Sequence, residues 1–298
     1  MAGLCPGEGL HGANIFHTKG SGYLCTFESV AKHINNSQMA VFTLTTDWGL
    51  KDHYAGAVKG KLISLMPDAR IIDITHNIPP FDILQAAFIL KNVISTFSSG
   101  TIHLIGVNTD ASIETPHVLV RYHGQYFIGA DNGIFALLFD EKPDLIIELD
   151  ILSDSDFFTF STRDVFVKAA IHVAEGRELE KLGNPRTFLN EKLSFVPVVE
   201  GNVIRAKVIY VDAYENVFVN ITQDLWRRVV GKKQFRIEFR NARYTIDIIS
   251  HSYSDVSEGD MLALFSSNGF MEIAMNRGKA SSLLGLRQDD PVRITVSG

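Results

Sequence analysis

From Met39 onward, short apolar runs alternate with stretches in which apolar residues recur every three or four positions. Val41 to Thr45, Ile71 to Ile74 and Thr101 to Val107 read as short buried strands, with helices at about Tyr54 to Met66 and Asp82 to Phe97 between them. Such alternation predicts a mainly parallel sheet with flanking helices. Pro67-Asp68 ends the first helix, because proline cannot continue the hydrogen-bond ladder. Asp82 is placed to cap the second, whose Ile83, Leu84, Ala87, Phe88, Val93 and Ile94 are apolar almost all round, as expected of a buried crossover.

Two period-2 runs follow, His117 to Tyr122 and Gln125 to Ile128, joined by a tight His-Gly turn. Next come Asp131-Asn132-Gly133, a short helix from Ile134 to Phe139 and a further helix from Arg163 to Glu175. Gly183, Pro185 and Pro197 mark a break in composition, and beyond Asn202 the helical signal nearly vanishes. Val203 to Val211, Val217 to Ile221, Gln234 to Phe239, Tyr244 to Ile249, Met261 to Phe265, Met271 to Met275 and Val292 to Val296 read as short strands of a small all-β barrel or sandwich. The expected organisation is a poorly ordered extension over 1–38, an α/β domain over 39–196 and a barrel-like β domain over 197–298.

Composition narrows the function. With 298 residues, 46% apolar and 21% charged, the chain is long enough for two cores. It contains no run near the roughly 18 apolar residues of a membrane span. A net charge of −6 argues against nucleic acid, since the sole basic cluster, Arg227, Arg228, Lys232 and Lys233, reads as a solvated turn. Cys5 and Cys25 both precede residue 40, which leaves the body free of thiols and points to a reducing, cytoplasmic setting. The ten histidines show no metal-ligand spacing, and no metal or cofactor is expected.

The stretch Thr43 to Asp82 carries the chemistry most plainly. A strand runs into an acidic, glycine-bearing turn at Asp47-Trp48-Gly49, at the sheet edge where ligands of open α/β folds bind. No glycine-rich phosphate cradle is present. Carboxylates at Asp47 and Asp52 suit hydroxyl or ammonium groups, so a small nucleoside ligand fits better than a phosphate. The plain alternative for Asp52 and Asp82 is helix or turn capping, and Asn132-Gly133 reads as a structural turn needing positive φ. His76 and His103 read as core or strand-end residues.

Taken in order, Thr45-Thr46-Asp47-Trp48-Gly49, Pro67-Asp68-Ala69-Arg70, Asp73-Ile74-Thr75-His76, Pro80-Phe81-Asp82, Asp131-Asn132-Gly133, Arg163-Asp164, Asp212, Asn216-Val217 and Glu272-Ile273-Ala274-Met275-Asn276 give the chain from about residue 40 a recognisable outline. It resembles the S-adenosylmethionine hydroxide adenosyltransferases and the related fluorinases and chlorinases. The resemblance implies that Asp47 holds the ribose hydroxyls, that Asp52 and Tyr54 lie near the methionine end and that Phe81 lines the ribose pocket. It further implies Asp212 for the ammonium, Tyr214 and Asn216 for the adenine, and backbone at Met275 and Arg277 to complete that site. Ser267 and Asn268 fall where the halogenases have serine and arginine for the methionine carboxylate, so the arginine is lost. A homotrimer with sites between subunits is also implied.

At the nucleophile the chain departs from this pattern. The hydrolases' aspartate falls on Thr109, with Asp110 beside it; their arginine falls on Pro116 or His117, and their histidine on Ser161 of Phe160-Ser161-Thr162-Arg163-Asp164. A shift of one residue brings Asp110 and His117 into the candidate catalytic set with Thr109, Ser161 and Thr162. The hydroxyls of Thr109, Ser112 and Thr162 are candidates to line a small anion or water site beside Phe160. Attack at C5′ of a sulfonium expels neutral methionine and needs no acid, so positioning, on the order of 7 to 11 kcal/mol, outweighs a general base at about 10² to 10⁴ in rate. Water as nucleophile, giving adenosine and L-methionine, is the leading expectation. A non-catalytic S-adenosylmethionine or nucleoside binder and a chloride-using halogenase are the alternatives.

Overall fold

A computed structural model describes residues 40–152, 159–191, 196–239 and 244–297. The expected extension over 1–38 lies outside the described residues.

Strand β1 (Val41–Thr46) is buried from Phe42 to Thr46 and pairs on both sides, as a central strand rich in β-branched residues should. Helix α1 (Tyr54–Leu65) turns Ala55, Val58 and Leu62 inward and stops ahead of Pro67. Strand β2 (Arg70–Thr75) returns parallel to β1 as the outermost strand. Helix α2 (Ile83–Val93) opens on Asp82, whose carboxylate accepts the Gln85 N–H at 3.0 Å, a cap worth about 1 kcal/mol. Strand β3 (Ile102–Gly106) then lands on the opposite side of β1. The chain leaves β1 in both directions, and that reversal opens a crevice beyond the carboxyl ends of β1 and β3.

After β3 the pairing changes. Strands β4 (His117–Tyr122) and β5 (Gln125–Ala130) form a hairpin across His123 and Gly124, both at positive φ. Helix α3 (Ile134–Leu138), strand β6 (Leu145–Leu149), a single π-helical turn (Thr162–Phe166) running into helix α4 (Val167–Ala174), and strand β7 (Gly183–Pro185) complete this half. The sheet order is β2-β1-β3-β5-β4-β6-β7. The β2, β1, β3 and β5 ladders are parallel, whereas β4 pairs antiparallel with β5 and β6, and β6 with β7. The sheet is therefore mixed, which corrects the expectation of a mainly parallel one. A two-residue turn can only join antiparallel strands, and the apolar run at β6 adds to the hairpin's free edge. Helices α1 and α4 cover one face and α2 and α3 the other.

The second half is an antiparallel sheet. It comprises β8 (Val198–Glu200), β9 (Val203–Val211), β10 (Val217–Thr222), β11 (Gln234–Phe239), β12 (Thr245–Ile246), β13 (Met261–Phe265), β14 (Phe270–Met275) and β15 (Pro291–Ser297). Their order is β12-β11-β15-β9-β10-β14-β13, with β8 on β9, and an Ile249–Ala263 bridge brings the ends near closure into a barrel. Of the expected strand Tyr244 to Ile249 only Thr245 and Ile246 form ladder pairs. Two short helices, α5 (Gln223–Val229) and α6 (Ala280–Leu284), interrupt the strands. Arg227 and Arg228 sit exposed in the last turn of α5.

Helix α2 explains its own composition. Ile83, Ala86, Ala87 and Leu90 pack on the first sheet. Phe88 points the other way, with its ring 4.8 Å from Tyr210, 5.4 Å from Phe218 and 5.7 Å from Phe270. The helix is apolar nearly all round because a sheet lies on each side. No helix among the described residues is long and apolar enough to cross a membrane.

Candidate functional site

At the carboxyl end of β1 the chain turns sharply through Asp47, Trp48 and Gly49, the last at φ 67°. An Asp47 carboxylate oxygen accepts the Phe81 N–H at 2.9 Å, tying this turn to the one that follows β2. Phe81 is itself at φ 67°, a conformation that costs a bulky residue energy, and its ring is 68% exposed. The strain and exposure make Phe81 and Asp47 a preformed pair open to a ligand. The Trp48 ring lies over Gly106 at the end of β3, where a Cβ would come within 2.6 Å of it. Phe160 and Tyr54 pack edge-on against one another at 5.3 Å and flank Trp48 at 5.4 and 6.1 Å. Asp52 is exposed two residues before the helix.

The loop after β3 forms the opposite wall. His117, at the start of β4, has Nε2 2.9 Å from the Thr109 carbonyl and its ring edge-on to Phe166 at 4.8 Å. Donation from Nε2 leaves Nδ1 as the nitrogen able to accept a proton. Burial holds the His117 pKa below the usual histidine range, against the Thr109 carbonyl and the Asp110 charge, which raise it. Asp110, His117 and Thr109 are thus brought together. Ser112 is not available in the same way: its hydroxyl accepts the Glu114 and Thr115 N–H groups and pairs with the Thr115 hydroxyl at 2.9 Å. Ser161 precedes the π-helical turn without capping it, and Thr162 inside that turn is fully buried with its hydroxyl lacking a protein partner. The neighbouring Arg163 is held bidentate by Asp164 at 2.6 and 2.7 Å, over the Phe160 ring.

A second cluster lies on the barrel. One Asp212 oxygen accepts the N–H groups of Tyr214 and Asn216 at 2.9 and 2.8 Å, and the Asn216 amide reaches the other at 3.3 Å. Tyr214 is 78% exposed. The adjoining Glu215, at φ 64°, accepts from the Ser282 hydroxyl and N–H and from Lys279; these hold its carboxyl down to about 2. Glu215 therefore staples this turn to α6 beside Met275 and Arg277. The register pairs Val217 with Ile273, which sets the Asp212 turn at the Met275 end of β14. Ser267 and Asn268 lie at the other end, where they line a cavity of about 590 Å³ with Lys91, Asn92, His123 and Phe270. No hydrogen bond or ring contact among the described residues joins the Asp47 cluster to the Asp212 cluster.

Sequence profiles of the SAM hydroxide adenosyltransferase N-terminal and C-terminal domains match residues 42–183 and 206–293. The chain belongs to the SAM hydroxide adenosyltransferase family. An (R)-S-adenosyl-L-methionine hydrolase of Salinispora tropica is 29% identical over 266 residues, covering 85% of this chain and 97% of the relative. A fluorinase of Nocardia brasiliensis is 23% identical over 296 residues, covering 88% and 98%. The crystal structure of an uncharacterized conserved protein from Thermotoga maritima matches with a TM-score of 0.76 at 29% identity, covering 86% of this chain and 99% of that one.

Within this family frame the structure gives contacts to residues that the sequence reading named only as motif or turn positions, and adds Tyr253 and Asn190. Buried Glu272 accepts the Tyr253 hydroxyl at 2.7 Å; burial, then the Glu272 contact and charge, raise the tyrosine pKa, and burial with the Asp212 charge raises that of Glu272. A lone glutamate inside an apolar strand was the available signal. Asp131 and Asn132 brace the loop after β3: Asn132 donates to the Val107 and Asn108 carbonyls, and Asp131 accepts the Asn190 N–H at 3.0 Å with both oxygens. Gly133 takes φ 99°, as that turn requires. No cluster of potential metal ligands occurs among the described residues.

Proposed function

We propose that the protein binds S-adenosylmethionine and catalyses substitution at its C5′ carbon by water, yielding adenosine and L-methionine. The observation that carries this is the Asp47–Phe81 pair, a carboxylate and a strained, exposed aromatic held together at the crevice of a chain whose relatives process S-adenosylmethionine. In this reading Asp47 accepts the ribose hydroxyls, Phe81 packs on the sugar, and Tyr54, Trp48 and Phe160 exclude water from the sulfonium side. Asp52 lies toward the methionine end. Asp212, Tyr214, Asn216 and the Met275 and Arg277 backbone take the ammonium and the adenine; Ser267 and Asn268, at the opposite end of β14, stand away from this cluster and are left out of the site. The separation of the two clusters in one chain supports a homotrimer in which a neighbouring subunit completes each site.

The water is held between the Thr109–His117 wall and the Thr162 turn. His117, kept neutral by burial, offers Nδ1 to the attacking water, and Asp110 stabilises the imidazolium that forms. Incubation with S-adenosylmethionine followed by chromatography tests this: adenosine and methionine in equal amounts above the spontaneous rate support it, and their absence rejects it. The unpartnered Thr162 hydroxyl supports a chloride-using reaction as the alternative, read as 5′-chloro-5′-deoxyadenosine at high chloride.

A second reading is favoured by Thr109 and Ser161 standing where the hydrolases have acid and base. The protein would then be a binder without turnover, releasing heat on titration with S-adenosylmethionine while the ligand stays intact.

A further inference from the structure

Beneath the Asp47 turn lies a chain of polar side chains that no step above uses, running from the half-exposed Lys59 and Asp73 to the buried His76 and Thr46. His76, 3% exposed, has Nδ1 2.7 Å from the Thr46 hydroxyl, while Nε2 lies 3.2 Å from an Asp73 oxygen as a charge contact without hydrogen-bond geometry. The other Asp73 oxygen receives the Lys59 ammonium at 2.5 Å. With the carboxylate facing Nε2, the proton belongs on that nitrogen, leaving Nδ1 to accept from Thr46. The same histidine's carbonyl accepts the Gly49 N–H at 2.6 Å, and the Thr46 carbonyl accepts from Ile78 at 3.4 Å. A Cβ at Gly106 would meet the Thr46 methyl at 3.1 Å and the Trp48 ring at 2.6 Å, so both residues rest on one small patch of β3.

We propose that Lys59, Asp73 and His76 are positioning residues that fix Thr46 and, through it, the spacing between the Asp47 carboxylate and the Trp48 and Phe81 rings. The geometry is directional: charge on α1 and β2 orients an imidazole, the imidazole orients a hydroxyl at the end of β1, and the turn that follows carries the ligand carboxylate. The buried His76–Thr46 end of the network fixes one arrangement where an apolar core would tolerate several. The role in binding rests on the function proposed above; the role in ordering Trp48 does not.

The test uses full-length protein carrying Trp226→Phe, so that Trp48 is the remaining tryptophan. Asp73→Asn removes the charge at a half-exposed position without changing shape, and Asp68→Asn serves as an exposed control. Asp73→Asn is expected to raise acrylamide quenching of Trp48 emission about twofold, to weaken S-adenosylmethionine affinity and raise KM about tenfold, and to leave kcat within about twofold. His76→Asn, which keeps an acceptor near the Nδ1 position, should restore part of the quenching protection that His76→Ala loses. Quenching identical to the parent in both Asp73→Asn and His76→Ala overturns the proposal. If the parent binds no S-adenosylmethionine, the functional reading fails while the quenching comparison still decides the relay.

Discussion

The two walls of the crevice differ in how their residues are committed. On the ligand side, Asp47 and Phe81 sit at the ends of neighbouring parallel strands, joined by one hydrogen bond and held in a strained but fixed geometry. On the side proposed to hold the nucleophile, the 107–117 loop is braced through Asn132 and Asp131, and its polar groups largely satisfy one another: Ser112 with Thr115, His117 with Thr109. One wall is built around a carboxylate facing outward; the other is built around a neutral imidazole and a buried hydroxyl. Under the proposed function, recognition of the ligand and activation of the nucleophile are thereby separable, and each should be removable without the other.

The sharpest way to break that separation is at His117. His117→Gln is expected to lower kcat roughly 10² to 10³-fold with affinity for S-adenosylmethionine within about twofold, since a general base is commonly worth 10² to 10⁴. Because burial lowers the His117 pKa, the acid limb of the rate profile should fall below the ordinary histidine value of 6.5. Asp47→Ala should do the reverse. Losing hydrogen bonds to a charged acceptor, at about 1.5 to 3 kcal/mol, weakens binding on the order of 30-fold or more by titration calorimetry.

The scaffold beneath both walls should respond to pH as one unit. His103, buried on β3 between Thr43 and Gln125 and stacked on Phe127, has its pKa lowered by burial from 6.5 to about 4. Between those values the unfolded chain holds more protons, so stability rises with pH: it is complete above about 6.5 and is lost as pH falls toward 4. The loss is on the order of 3 kcal/mol, visible as a falling Tm whose slope diminishes in His103→Gln. The smallest effect concerns the barrel cluster. Glu215→Gln loosens the staple to Lys279 and Ser282 and should weaken nucleoside affinity a few-fold while sparing kcat, read from the split between KM and kcat.

How much of this could be read from the chain depended on whether a feature is local. β9, β11 and β13 end where their alternation ends, and Asp82 caps α2, because hydropathy period and capping are written within a few residues. β7 and α6 are too short to show a period, and β6 is an apolar run with no partner visible in the sequence. The mixed sheet followed from the His123-Gly124 hairpin, a local feature whose consequence for neighbouring strands was not. Asp47, Asp212 and Asn216 stand out as polar residues at strand ends. The pairing of His117 with Thr109, and of Glu272 with Tyr253, depends on contacts between segments that no spacing encodes.

The central claim is that water replaces methionine at C5′. Turnover of S-adenosylmethionine in water enriched in heavy oxygen, followed by mass spectrometry of the nucleoside, tests it most directly. Adenosine carrying the label at its 5′ oxygen, formed with an equal amount of methionine and much reduced in His117→Gln, is the predicted result. Intact S-adenosylmethionine after prolonged incubation with binding-competent protein, or a 5′-halogenated nucleoside in place of adenosine, would contradict it.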